Sequence, residues 1–126
     1  MKMGMFQVKV KVANPEDAAC AFEERFWVDT GVLYTCAPED RLEAIGLTPK
    51  FARDFTLAEG RTDRRLVGEG SLTIEGFSDT ISCLIVFGPP RSLFLLGVTA
   101  LENFCVQADP VTQKLRPITA IMAGQA

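Results

Sequence analysis

At 126 residues the chain has the length of one domain, and a single domain over residues 1–126 is expected. That length buries a core without disulfide staples. Thirteen Lys and Arg against sixteen Asp and Glu give a net charge of −3, with no basic surplus to neutralise phosphates, so nucleic acid is not expected as a partner. The chain holds no histidine, which excludes hydrolases built on a histidine base, histidine metal sites and histidine acid–base chemistry.

The four cysteines, Cys20, Cys36, Cys83 and Cys105, are scattered with no close-spaced pair. Structural zinc sites normally show such pairs, so no metal is expected. The thiols read as small buried side chains in a reducing cytoplasm. Met1-Lys2-Met3-Gly4-Met5 leads into alternating Lys and Val without the apolar stretch of a signal peptide. The longest apolar runs, such as Cys83 to Phe87, are too short to cross a bilayer. A cytoplasmic location with no membrane partner is the expectation.

In chain order, Phe6 to Val12 alternates strictly and predicts a half-buried strand. Asn14 to Asp17 is a turn. Glu23 to Val28 predicts a second strand, with Phe26 and Val28 on one face and Trp27 on the other, where core packing is expected for the indole. Val32 to Cys36 reads as extended. Pro38 to Ile45 predicts a short helix, opened by proline and two acids, stopped by Gly46, with Leu42 and Ile45 facing the core. Phe51 to Leu57 and Arg64 to Val67 form a long hairpin around residues 58 to 62. Ser71 to Glu75 and Ile81 to Phe87 form another pair around 76 to 79. The apolar run Leu93 to Leu96 ends at Gly97, and Val98 to Phe104 suits a short helix. Val106 pairs with a last strand, Leu115 to Met122, across a turn at Asp109-Pro110.

The chemistry-bearing residues are Asp29-Thr30-Gly31, between an apolar strand and an extended segment. At average residue usage this tripeptide arises by chance in roughly one chain in forty of this length, and an ordinary Asx turn accounts for it equally well. Further along, Leu95-Leu96-Gly97 stands before an amphipathic helix, 66 positions beyond Gly31.

Taken in order, an Asp-Thr-Gly loop, a hairpin, a hydrophobic-hydrophobic-glycine turn, a helix and a last strand resemble the retropepsin-type aspartic proteases. The closer similarity is to their small bacterial and archaeal relatives. It rests on Phe26-Trp27-Val28-Asp29-Thr30-Gly31, on Pro38 to Leu42, and on the tail Leu95-Leu96-Gly97-Val98-Thr99-Ala100-Leu101-Glu102 with Asp109-Pro110-Val111, so it spans nearly the whole chain. Two positions depart from the family pattern. Val32 stands where many retropepsins carry Ala or Ser. Val98, with Leu33 and Tyr34, replaces the arginine and acid that pair in the retroviral enzymes.

The resemblance implies an all-β fold, a retropepsin-like acid-protease β-barrel with one or two short helices. It implies an aspartic endopeptidase acting as a homodimer, with Asp29 catalytic and Thr30, Gly31 and Val32 supporting its loop. Ala58, Glu59, Gly60 and Arg61 would be a flap tip that meets a peptide or protein substrate, although an exposed turn with no ligand contact is the alternative there. Leu95, Leu96 and Gly97 would be the structural turn, and no metal or cofactor is called for. One Asp-Thr-Gly per chain cannot make a pair of aspartates, hence the second copy. The terminal strands Met5 to Val12 and Leu115 to Met122 are expected to pair across that interface. A catalytically silent dimeric module of the same fold, gripping extended peptides or a partner protein, is the competing reading.

Overall fold

The computed structural model describes residues 6–119. Lys9 and Lys11 point outward while Val10 and Val12 are fully buried, so alternation sets strand β1, Gln7–Asn14, as expected. Strand β2, Asp17–Val28, returns antiparallel to it. The turn between them is an Asx turn, in which Asn14 Oδ1 accepts the Glu16 N–H at 2.9 Å. The second strand starts six residues before the expected Glu23. Residues 17–22 are mostly exposed and show no alternation; pairing with β1, from Ala13 opposite Ala21 onward, makes them extended. Cys20 lies on this exposed stretch, a correction to the expectation of buried thiols, whereas Cys83 is buried.

Strand β3 spans Thr35–Pro38 and leads into helix α1, Glu39–Ala44. Pro38 stands at the cap, Glu39 and Asp40 fill the first turn, and Gly46 takes a positive φ of 83° to end the segment. Leu42 and Ile45 are buried, as expected. Arg41 lies 2.9 Å from Glu24 and stacks on Phe22 and Phe94, which pins the helix to β2.

Strands β4, Phe51–Thr56, and β5, Thr62–Ile74, form the long hairpin. Strand β5 continues unbroken through the residues expected to start a separate strand at Ser71. Gly68 and Gly70 do not interrupt it because both are sites of close approach: a Cβ at 68 would lie 2.8 Å from the Phe87 ring, and one at 70 would lie 2.7 Å from Ile85 Cδ1. Strand β6, Thr80–Gly88, pairs back on β5. The two-residue strand β7, Leu95–Leu96, precedes helix α2, Val98–Asn103. Strands β8, Val106–Asp109, and β9, Lys114–Pro117, make a separate hairpin. Asp109 Oδ1 accepts the Val111 and Thr112 N–H groups in its turn. Ala120 to Met122 of the expected last strand, and Met5 of the first, lie outside the described residues.

The fold is thus mostly β with two short helices among the described residues. Strand pairings run β1–β2–β7–β3–β6–β5, and β5 pairs again with β1, so the hydrogen-bonded ladder closes on itself while β4 extends from it. Inside lies one apolar cluster including Val10, Phe26, Leu42, Leu72, Ile85 and Leu96. Because β1 is flanked by β2 and β5 over Val10–Ala13, that stretch is no free edge, contrary to the expectation that it would pair with a second copy. No helix is long and apolar enough to cross a membrane.

Two leucines on β5 give a direct test of this packing. Leu72 is fully buried and Leu66 is 49% exposed. Leu72→Ala is expected to cost about 2–5 kcal/mol of unfolding free energy, and Leu66→Ala less than about 0.5 kcal/mol, both read by urea denaturation.

Candidate active site

Asp29 sits where β2 ends, and its position is fixed from two sides. On one side the Val28 N–H donates to the Phe6 carbonyl at 2.8 Å. On the other, β7 runs parallel to the end of β2, with Trp27 opposite Leu95 and Val28 opposite Leu96. The Asp29 N–H donates to the Leu96 carbonyl at 3.0 Å. The chain then turns within the loop, and the Gly31 N–H donates to Asp29 Oδ1 at 2.9 Å. That is the Asx turn the tripeptide favours. Asp29 is only 9% exposed. Among the described residues no hydrogen bond is found to its Oδ2, and Oδ2 is not a fully enclosed, unpartnered atom of the kind that Ser92 Oγ is.

Residues Val32 to Tyr34 are not a strand, against expectation; the strand begins at Thr35. The Val32 and Leu33 carbonyls are taken by the start of α2. The Val98 N–H donates to the Val32 carbonyl at 2.9 Å, and Leu33's carbonyl accepts both the Thr99 N–H and Thr99 Oγ1. These bonds satisfy donors that the first turn of a helix leaves open. Gly97 makes the approach possible. A Cβ there would lie 2.5 Å from the Tyr34 carbonyl carbon and 2.9 Å from the Leu33 oxygen. Its N–H donates at 3.2 Å to Oγ1 of the fully buried Thr35. Sequence reading placed Leu95, Leu96 and Gly97 in a turn but missed Thr35, which carries no signal beyond its β-branch.

The structure brings Asp29, Gly31, Val32 and Gly97 together. Thr30 is exposed, Val32 half-buried, and Leu33 58% exposed beside them. Trp27 is half-buried and, among the described residues, belongs to neither apolar cluster, so the expected core packing is not seen there. Ala58, Glu59, Gly60 and Arg61 form the exposed hairpin tip, with Gly60 at φ 89° and Arg61 paired to Glu59 at 3.3 Å. None of the four bonds to the Asp29 loop. The hairpin meets that loop lower down, through residues the sequence did not single out. Tyr34, Val67 and Val86 are buried together, with Phe51 and Phe55 packed on them. The Tyr34 and Phe55 rings meet edge to face at 6.0 Å, and Arg53 Nη1 donates to Tyr34 Oη at 2.8 Å. The available signal was the spacing of Phe51, Arg53 and Phe55, which share one face of a strand.

Cys36, two residues beyond Tyr34, is enclosed in this region. Burial pushes its thiol up to about 11, the Asp29 carboxylate adds to the effect and the Arg65 guanidinium opposes it. Two surface concavities, of about 450 and 230 Å³, lie elsewhere, the larger between Gln7, Arg25 and Gln113 to Leu115. Among the described residues no three Cys, Asp or Glu side chains converge as a metal site.

In comparisons with known proteins, no family model and no curated protein matches the chain.

Two outcomes follow from this geometry. Gly97→Ala drives a Cβ into backbone, which cannot move aside as a side chain would, and should cost more than about 2 kcal/mol. Gly60→Ala meets open space and pays only for its positive φ, about 1 kcal/mol. Thermal unfolding of the two variants checks the contrast. The Cys36 thiol sets a pH dependence. The unfolded chain sheds that proton near 9.0, whereas the native thiol holds it to about 11. The stabilisation is complete below pH 9 and is lost as pH rises to 11, by at most about 2–3 kcal/mol. Unfolding free energy should fall less steeply across that window in Cys36→Ala than in the parent.

Proposed function

We propose that this protein is an aspartic endopeptidase of retropepsin-like fold, active as a homodimer in which two Asp29 carboxylates face each other. The observation that carries the reading is the carboxylate itself: nearly buried, oriented through Oδ1 by the Gly31 N–H, with no hydrogen bond to Oδ2 among the described residues. Its loop is clamped by a hydrophobic-hydrophobic-glycine turn. The closed ladder of β1, β2, β7, β3, β6 and β5 supports a small barrel as the frame, with the β4–β5 hairpin as flap.

Two such loops meeting at a two-fold axis supply the pair that one chain lacks. Paired carboxylates at one site keep a single proton between them. One draws a proton from a water as it attacks the scissile carbonyl carbon, and the other gives its proton to the carbonyl oxygen. A substrate lies extended under the hairpins and adds strand-like hydrogen bonds. Thr30, exposed at the loop, is available to bond across the pair, and residues 58 to 61 close over the peptide. A cytoplasmic setting accords with the unpaired cysteines. A second reading, a silent module that grips peptides, draws on Val32, whose branched side chain adds bulk beside the carboxylate.

The deciding experiment is cleavage of denatured protein at acidic and neutral pH, with and without pepstatin. Wild type should cleave and Asp29→Asn, equally folded, should lose at least about a thousandfold. Specific activity should fall on dilution through the dimer dissociation constant. Peptide binding without cleavage supports the silent module, and a fully active monomer in sedimentation removes the shared-aspartate mechanism.

A further inference from the structure

The β4–β5 hairpin presents one face to the segment that follows Asp29. Phe51, Arg53 and Phe55 stand opposite Val67, Arg65 and Asp63, and residues facing each other across a ladder share a side. Phe51, Phe55 and Val67 pack with Tyr34, which fixes this side as the one turned toward the loop. In a chain of net charge −3, that side holds two arginines against one aspartate.

The two arginines differ. Arg65 is paired with Asp63 at 2.7 Å. Arg53 has no carboxylate within ion-pair distance among the described residues. Instead its Nη1 donates to Tyr34 Oη, and its guanidinium lies 4.7 Å from the Phe51 ring centre and 6.0 Å from that of Tyr34. A guanidinium carries five N–H donors in a rigid fork. One is used here, and the residue is exposed. The phenol and the ring hold the fork before any ligand arrives, so less side-chain ordering is left to binding. A fork held in this way, with donors open, fits a carboxylate.

Distance permits the link to Asp29. Tyr34 is five residues beyond it, at most about 18 Å along a fully extended chain. An extended peptide advances about 3.3 Å per residue, so a substrate centred at Asp29 comes within reach of Arg53 within a handful of residues.

We infer that Arg53 is a specificity-determining residue, whose guanidinium takes the side-chain carboxylate of an acidic residue in an extended peptide substrate, several residues from the bond cut. This rests on the peptidase reading of Asp29 and adds a substrate class to it: peptides carrying an acid at one fixed distance from the scissile bond.

The test uses the full chain and C-terminally amidated fluorescent peptides of about twelve residues, a length that spans the distance above. A single Glu is moved along an otherwise uncharged sequence, each peptide paired with its Gln counterpart. Binding is read by anisotropy on Asp29→Asn, and cleavage on wild type. At one position the Glu peptide should bind about tenfold more tightly than its Gln counterpart, with a lower Kd, and be cleaved with about tenfold higher kcat/KM, less so at high salt. Arg53→Gln should bring the ratio near one, and Arg53→Lys should restore it only in part, since the charge returns without the fork. A ratio near one at every position, or one that Arg53→Gln leaves as it was, overturns the inference. Cleavage that needs Asp29 but shows no Glu preference leaves the peptidase reading standing alone. Arg53-dependent binding of Glu peptides without cleavage does the reverse. Failure of every peptide to bind at millimolar concentration counts against both, and binding found only when the same peptides are supplied as C-terminal free acids assigns the carboxylate to a chain terminus and sinks the side-chain form.

Discussion

The closest approach at the site is between two stretches of backbone, Gly97 against Leu33 and Tyr34, and the position of Asp29 depends on it. Only a residue without Cβ allows that distance. With it, Leu95 and Leu96 reach far enough to lie parallel to the end of β2 and to touch β3 through Cys36. The ladder then closes through a strand of two residues. Were Gly97 held further out, the Asp29 N–H, the Gly97 N–H and the Thr35 hydroxyl would each lose a partner while remaining buried. Each such loss costs about 1–3 kcal/mol. Fold closure and the orientation of one carboxylate therefore share a cause.

The hairpin over this loop is held by a different and smaller cluster. Tyr34, Val67 and Val86 are buried, but Phe51, Phe55, Cys36 and Leu84 are only partly so. Further out, the arms rely on ion pairs such as Arg64 with Asp54, both more than 60% exposed, and such pairs contribute little. Opening the hairpin exposes far less apolar surface than opening the main core, so it is the element of low local stability. It rests on the loop through the aromatic contact at Tyr34. That residue belongs to the loop bearing Asp29, so what settles on the hairpin's inner face is felt beside the carboxylate.

Much of this was legible in the sequence where local pattern and tertiary demand agree. Alternation marked β1, proline and glycine bracketed α1, and the Asp-Thr-Gly and Leu-Leu-Gly stretches marked the two halves of the site. Reading failed where pairing overrides local signal. Asp17 to Phe22 is a strand because β1 lies beside it. Gly68 and Gly70 look like breaks, yet they make room for Phe87 and Ile85 within a continuous strand. Val32 to Tyr34 has strand composition, but the carbonyls of Val32 and Leu33 are claimed by a helix 66 residues away. Thr35 and Arg53 owe their roles to neighbours remote in sequence, and no local pattern announces those.

The junction of α2 with the loop at Val32 and Leu33 is made without any charged side chain. Two backbone N–H groups and the Thr99 hydroxyl join helix to loop, donating to the carbonyls of Val32 and Leu33 at 2.8–2.9 Å. Thr35 and Gly97 add another neutral bond. None of these groups changes charge between acidic and neutral pH, and neutral bonds are far less sensitive to salt than ion pairs. An ion pair in their place would fail once its carboxylate took a proton. Under the peptidase reading, the working chemistry needs a proton on one of two carboxylates, and the clamp that aligns them is indifferent to the acidity that puts it there. The helix and the loop are thus joined by hydrogen bonds between groups of fixed charge.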